Sequence, residues 1–415
     1  MRRGQGESAP RHIALVADGT RGDLFPMLAL ARRVAARGHS VRVCGPPDFA
    51  QAAESMGVAY RSVGRGVREF LTDEARALHG GALAVAKAGQ RHFTESVEEN
   101  FRTLPAALAD VDTVVAAGTQ LVAASVAERL GARYHYVAYY PALFPCTEAP
   151  PAFLPYQRLP RWANRLAWWI GGHLMQRDIG AALDVGRRQL GLPPVRDIFD
   201  YVLGPRPLLA TDPELAPVPE SSRFAAHCIG CLHPFEAEPL PEKLEAFLAA
   251  GEPPVFLGFG SMTDPQPAAT TRTVLEAVER AGVRALVSEG WAGLGATPLP
   301  EHVMRVGSVA HASLFRRVAA VVHHGGAGTT TTAARAGAPQ ILVPHLLDQF
   351  WWSQRVQTLG LGPPALPRRK LAAAPLAERL ASLRDNELLV ERAAELGSKL
   401  RTALRERPDP SLAIT

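Results

Sequence analysis

The chain has 415 residues, of which 47% are hydrophobic and 20% charged, and it carries a formal net charge of +5. That balance excludes a disordered or fibrous chain and leaves room for two or three domains at roughly 100–200 residues each. The basicity comes from 41 Arg against 4 Lys, scattered among Ala, Gly and Pro, whereas a nucleic-acid surface would cluster them, so no nucleic-acid partner is expected.

Met1 to Arg11 is basic but has no apolar stretch behind it, so it reads as a loose tail and not a signal peptide. His12 to Ala17 is an apolar run short enough for a buried parallel strand. A turn follows, Asp18-Gly-Thr-Arg-Gly22. Leu24, Met27, Leu28, Leu30, Ala31 and Val34 then recur at helical spacing up to Gly38. Strands are expected at Ser40 to Cys44, Gly57 to Tyr60, Thr113 to Ala117 and Tyr134 to Tyr140, with helices between them. That rhythm implies a doubly wound parallel sheet. Prolines crowd 141–160, and aromatics gather at Phe144, Phe153, Tyr156, Trp162, Trp168 and Trp169. This stretch suits a packed helical excursion, an apolar cleft wall or an amphipathic surface helix.

Residues 232–253 are rich in Pro and Glu around one amphipathic helix, and they read as a linker. The strand–helix rhythm restarts at Pro254 and runs to a strand at Gln340 to Val343 and a helix from Asp348. Helical patterning returns from Leu376 to Leu404. The expected division is a first α/β domain over 1–231 and a second over 254–415, whose last helix packs back on the first. No segment reaches the roughly 18 apolar residues of a membrane helix. The four cysteines are too few for a disulfide framework, and Cys228-x-x-Cys231 has no second pair at zinc-ribbon spacing. The expectation is a cytoplasmic protein with no stable membrane insertion and no metal site.

The segment richest in chemistry is Val321-Val-His-His-Gly-Gly-Ala-Gly-Thr-Thr-Thr-Thr332. A strand ends, glycines turn the chain and a helix starts. Its unpaired amides and positive dipole end suit a phosphate, to which Thr hydroxyls and either His323 or His324 add donors. It lacks the Lys of a P-loop.

His324-Gly-Gly-Ala-Gly-Thr-Thr, with Pro344-His-Leu-Leu-Asp348-Gln349 downstream, resembles the nucleotide-sugar signature of the UDP-glycosyltransferase superfamily. Gly19-Thr-Arg-Gly-Asp23 is similar to the N-terminal loop of bacterial antibiotic and sterol glycosyltransferases. Gly258-Phe-Gly-Ser261-Met and Ser288-Glu-Gly-Trp291 are similar to other donor-side loops of that family. The resemblance implies a GT-B fold: two Rossmann-like doubly wound domains facing each other across a cleft. It implies an inverting glycosyltransferase with no tightly bound metal, using a UDP- or TDP-sugar as co-substrate. By position, His324, Gly326, Ala327, Gly328 and Thr329 would hold the pyrophosphate, with Thr20, Gly22 and Ser261 approaching it. Trp291 and the Val306 to Val309 segment would border the base and ribose, and Asp348 and Gln349 would bind sugar hydroxyls.

Asp23 is the expected general base, taking the proton of the acceptor hydroxyl as it attacks the anomeric carbon. A first-turn acid that merely stabilises its own helix would have the same residue type. Plant members have an aromatic where this chain has Val306, so TDP is as open as UDP. They also use a His base with an Asp partner, and neither is in place here, where Gly118-Thr-Gln follows the strand. The acceptor is expected to be a large apolar small molecule such as a polyketide, macrolide or similar antibiotic aglycone. His92, Phe93, Tyr140, Phe144 and Trp169 are candidates to line its site. A sterol or lipid glucosyltransferase, a UDP-sugar epimerase and a silent nucleotide-sugar-binding protein remain alternatives.

Overall fold

The structure is a computed structural model describing residues 9–68, 82–232, 238–295, 298–384 and 386–415. The first half contains β1 (His12–Asp18), α1 (Arg21–Ala36), β2 (Ser40–Gly45), α2 (Ala50–Ser55), β3 (Tyr60–Ser62), α3 (Ala82–Ala107), β4 (Thr113–Gly118), α4 (Ala123–Leu130) and β5 (Arg133–Ala138). Next come α5 (Arg161–Met175), a π turn at Gln176–Gly180, α6 (Ala181–Gln189), α7 (Ile198–Leu203), β6 (Leu208–Leu209) and β7 (His227–Cys228). The second half has α8 (Glu242–Ala249), β8 (Val255–Gly258), α9 (Pro267–Ala281), β9 (Ala285–Ser288), β10 (Val303–Val306), α10 (His311–Leu314), β11 (Ala320–His323), α11 (Ala327–Ala336) and β12 (Gln340–Leu342). It closes with α12 (Gln349–Thr358), α13 (Ala373–Arg384) and α14 (Glu387–Glu406).

Two parallel sheets result, in the orders β3-β2-β1-β4-β5-β6-β7 and β10-β9-β8-β11-β12. β1 and β4 are neighbours in the first, β8 and β11 in the second. Each pair bounds a crossover point, so the loops leaving these strands open onto the same carboxyl edge, where ligands bind in such sheets. α1 lays Leu24, Met27, Leu28, Leu30, Ala31 and Val34 on the sheet with no exposure. Each large side chain buried in this way contributes roughly 1.5–3 kcal/mol.

The third strand begins three residues later than its apolar run suggests. Gly57, at φ 67°, stops α2, and the chain needs that distance to reach the sheet edge. β6 and β7 have two residues each, too short for any periodicity to show. Of the aromatic-rich stretch expected from 141 onward, residues 161–203 are largely helical, but α5 is not fully packed: Trp162, Trp169 and Ile170 are exposed. All four cysteines are free thiols, and Cys228 Sγ donates to the Thr211 carbonyl at 3.1 Å.

The two sheets are tied together by chain that crosses between them. Leu215 and Ala216, just after β6, sit in one apolar cluster with Ala334, Leu342 and Trp352. Ile414 returns to the cluster of Ile13, Leu15 and Leu24 under β1. At the centre, Asp212 is fully buried. It receives two bonds of 2.8 Å from the Arg335 guanidinium of α11, and Arg407 binds it too. Burial alone would raise the Asp212 carboxyl, but Arg335 and Arg407 hold it below the ordinary carboxylate range.

Replacing Asp212 by Asn leaves two guanidinium groups facing a neutral amide at a buried site. The expected loss is about 3–5 kcal/mol in urea unfolding at neutral pH. Because Asp212 is depressed on folding, the wild-type advantage stands above about pH 4 and disappears as pH falls below it.

Candidate functional site

The first wall of the site is the turn between β1 and α1. Gly19 takes φ 134°, and Thr20 caps α1. The Thr20 hydroxyl accepts from Gly22 N at 3.3 Å, and Asp23 Oδ2 accepts from Thr20 N at 2.8 Å, a reciprocal cap. Asp23 therefore does stabilise its own helix, but with one oxygen. The other, Oδ1, lies against Gly118 at the end of β4, where a Cβ would come within 2.8 Å of it. A Cβ at Gly19 would stand 2.2 Å from Oδ2. Both glycines also hold positive φ, so the carboxylate is clamped between two positions that admit no side chain. Tyr139 Oη donates to the Asp23 carbonyl at 2.8 Å and Tyr136 Oη to that of Gly118 at 2.6 Å, two supports that no sequence signal announced. Burial pushes the Asp23 carboxyl up to about 7, and the charge of Asp18 adds to this while the Thr20 bond opposes it.

The opposite wall comes from the second sheet. β11 delivers His323 and His324 to a turn at Gly325, at φ 95°, and Gly326 starts α11 with no side-chain cap. The first amides of α11, at Ala327, Gly328 and Thr329, therefore face an open end. His323 is not available to a ligand. It is fully buried, Nε2 bonds Gln340 Oε1 at 2.9 Å and Nδ1 accepts from Gly325 N. His324 occupies the gap between Gly260 and Gly326, either of which would clash with it if it carried a Cβ. Its Nδ1 is buried with no hydrogen-bond partner, and burial pulls the ring down to about 4, so it is neutral near pH 7. The expectation that several Thr hydroxyls would add donors is corrected. Thr330 and Thr332 bond the carbonyls of Gly326 and Gly328 within their own helix, leaving Thr329 half-exposed at the open end.

Gly260 also binds Trp291, whose backbone N donates to the Gly260 carbonyl at 2.9 Å. That joins the loops after β8 and β9, with Ser261 buried beside them. The Trp291 ring packs on the apolar cluster of the first half, under the Arg68 guanidinium at 5.8 Å. Val306 is buried and Val309 half-buried in the cluster around Phe315.

Asp348 stands half-buried at the start of α12. Burial, and then the charge of Asp23, push its carboxyl up to about 7. The two carboxylates thus feel each other across the space between the sheets. Leu347 before it has φ 52°, an uncommon conformation for a branched residue, and is exposed. Gln349 is tied into its own loop. Its Oε1 accepts from His345 N at 2.7 Å and Leu346 N at 3.2 Å, and its Nε2 contacts Met262 Sδ. The side chain is buried and braces the loop that presents Asp348.

The acceptor candidates divide. Tyr140 is half-buried beside Asp348 and Asp23, packed on the Trp352 cluster. Phe93 is half-buried against the first-half core. Phe144 is corrected: it is fully enclosed in that core, its ring 6.2 Å from Phe224, and offers no face to a ligand. Trp169 is 60% exposed on α5, beside His173. The His92 side chain lies outside the described residues. Among the described residues no cluster of three or more His, Cys, Asp or Glu is placed to hold a metal, and no helix is long and apolar enough to cross a membrane.

Comparison with known proteins agrees with this geometry. Residues 13–144 match the glycosyltransferase family 28 N-terminal domain, and residues 278–411 match the erythromycin biosynthesis protein CIII-like C-terminal domain. Glycosyltransferase GtfE of Amycolatopsis orientalis is 41% identical over 355 residues, 84% of this chain and 85% of that relative. A vancomycin aglycone glucosyltransferase from the same organism is 39% identical over 354 residues, 84% of each chain. The crystal structure of glycosyltransferase VinC in complex with dTDP matches with a TM-score of 0.68 over 97% of both chains, at 20% identity, a likeness of fold. The chain therefore belongs to the UDP-glycosyltransferase superfamily, beside its bacterial antibiotic glycosyltransferases, and is a glycosyltransferase of the GT-B fold.

Proposed function

We propose that this enzyme moves a sugar, with inversion and without a tightly bound metal, from a UDP- or TDP-sugar to a hydroxyl of a large apolar aglycone of the antibiotic type. The observation that carries the reading is the placement of Asp23. Its carboxylate is held between Gly19 and Gly118 at the carboxyl edge of the first sheet, close enough to Asp348 at the start of α12 for each acid to feel the other's charge. The acceptor oxygen would lose its proton to Asp23 as it attacks the anomeric carbon. The nucleoside diphosphate would leave toward the α11 amides, where His324 meets the developing charge as a neutral donor. Asp348 would accept from sugar hydroxyls, with Thr20, Gly22, Ser261 and Thr329 near the diphosphate and Trp291 and Val309 toward the nucleoside.

In this reading residues 1–231 take the acceptor and 254–415 the donor. α5 supports an apolar acceptor. Trp162, Leu166, Trp169, Ile170 and Leu174 form one exposed stripe along it, and no Asp or Glu occurs between 149 and 177. Arg158, just before α5, bonds Gln354 of α12 at 2.8 Å, which brings the start of this helix to the second half. One relative named above acts on the vancomycin aglycone, and a dTDP-epi-vancosaminyltransferase of the same organism is 35% identical over 84% of this chain, which favours a TDP-sugar and a bulky acceptor. Four free thiols fit a reducing, cytoplasmic setting.

Calorimetric titration with UDP and TDP in parallel tests the donor side. Micromolar binding of TDP over UDP is expected, and no binding of either would remove the donor site. His324→Ala should weaken that binding by about 1.5–3 kcal/mol, the worth of a hydrogen bond to a charged group. Asp23→Asn should lower kcat by about 10²–10⁴ with the donor KM little changed.

Asp23 works as the carboxylate, so kcat should rise with pH through about 7. The same group costs stability. Asp23 and Asp348 sit near 7 folded, against about 3.9 in an unfolded chain. Folding therefore takes up protons between about pH 4 and 7, and stability falls as pH rises across that window. At pH 8, Asp23→Asn should be more stable than wild type by about 1–3 kcal/mol in thermal or urea unfolding, a gap that closes toward pH 4.

A further inference from the structure

A second carboxylate lies behind Asp23. Asp18, the last residue of β1, is 4% exposed, and its Oδ2 accepts from Ser96 Oγ at 2.5 Å and from Asn100 Nδ2 at 3.3 Å. Asn100 Nδ2 also bonds the Ser96 carbonyl and hydroxyl, and its Oδ1 accepts from Gln120 Nε2 at 3.2 Å. Gln120 Oε1 in turn accepts from Val122 N at 3.0 Å. Ser96, Asn100 and Gln120 are all buried. The chain of bonds ties β1 to α3 and to the β4–α4 connection. At its Asp18 end it reaches Gly118, which packs against both the Asp18 carbonyl and the Asp23 carboxylate. A Cβ there would stand 2.3 Å from Asp18 O and 2.8 Å from Asp23 Oδ1. Thr119 N donates to the same Asp18 carbonyl at 2.9 Å.

A sheet of this kind needs no polar network at that depth for its stability, and a buried acid is costly unless its donors are fixed. Two donors aimed at one oxygen favour the ionised acid. We propose that Asp18 is a positioning residue whose buried charge, locked by Ser96, Asn100 and Gln120, sets the basicity of Asp23 and holds the Gly118 wall against it. The inference rests on Asp23 being the general base. A negative neighbour makes a carboxylate release its proton less readily, which gives a stronger base near neutral pH. The influence of Asp18 on Asp23 has the same sign.

Other groups also face this cluster among the described residues. They are Tyr60 on β3 with Cys44 of β2 beside it, Tyr136 on β5, Tyr139 and Tyr140 after it, and Asp348 from the second half. The hydroxyls and the thiol stay protonated through neutral pH, because burial raises all of them. The carboxylates are therefore the groups whose charge changes there.

The test is the pH dependence of kcat for Asp18→Asn, a replacement of equal size. The acid limb should move about one unit toward lower pH, with the plateau about threefold lower and donor affinity unchanged. Ser96→Ala, which weakens the lock and keeps the acid, should move the limb the same way by less. It serves if Asp18→Asn fails to fold by circular dichroism. A folded variant whose limb stays where the wild-type limb lies would overturn the role of Asp18. Asp23→Asn separates the two readings. If it retains turnover and the same limb, the base assignment itself is wrong, and the Asp18 proposal goes with it.

Discussion

Asp23 and Asp348 bring like charges into a poorly hydrated space between two sheets, and among the described residues neither is matched there by a permanent cation. Keeping both ionised is expensive, and that expense shapes the rest of the site. One oxygen of Asp23 is fixed by an amide at the start of α1, which favours the charged form. Desolvation and the neighbouring acids work against it. The balance leaves a carboxyl poised near neutrality, as a general base requires. Such a group needs surroundings that do not relax around it, and Gly19 and Gly118 supply them by letting backbone come where a side chain could not.

The opposite wall is built from the other sign of the same electrostatics. The open start of α11 has unpaired donors and the positive end of a helix dipole, so it prefers an anion. His324, neutral through burial, adds direction without adding a competing charge. A cation there would stabilise the resting carboxylates and weaken Asp23 as a base. The pairing of a neutral donor with a helix end is thus consistent with acids elsewhere in the cleft.

These walls belong to different sheets, so their spacing depends on whatever joins the sheets. Asp212 with Arg335 and Arg407 does much of this. Arg335 sits at the far end of α11, the helix whose start is left uncapped at Gly326. The buried ion cluster and the return of Ile414 to the first core therefore hold the helix in place from behind. A buried charge cluster is a weak source of stability, but it fixes one arrangement of its partners.

The sequence alone determined a good deal. The repeated strand–helix rhythm, the glycine turn at His324 and its spacing to Asp348 were enough for two parallel sheets and for the family, because backbone turns and open helix starts are local events written in local residues. Asp23 was legible as an acid at a helix start. Tertiary structure decided which acids are desolvated and which side chains are already claimed by remote partners. Gln349 and Phe144 looked available, but one braces a loop and the other is sealed in a core, because the partners that claim them are remote in sequence. His323 and His324 are adjacent and chemically alike, yet Gln340 and Gly325 claim the first and leave the second facing the gap. Asp18 and Tyr139 carried no motif at all. Their bearing on Asp23 arises only when β1, α3, β4 and β5 assemble around one carboxylate, since desolvation and neighbouring charge are properties of a packed site and not of a residue.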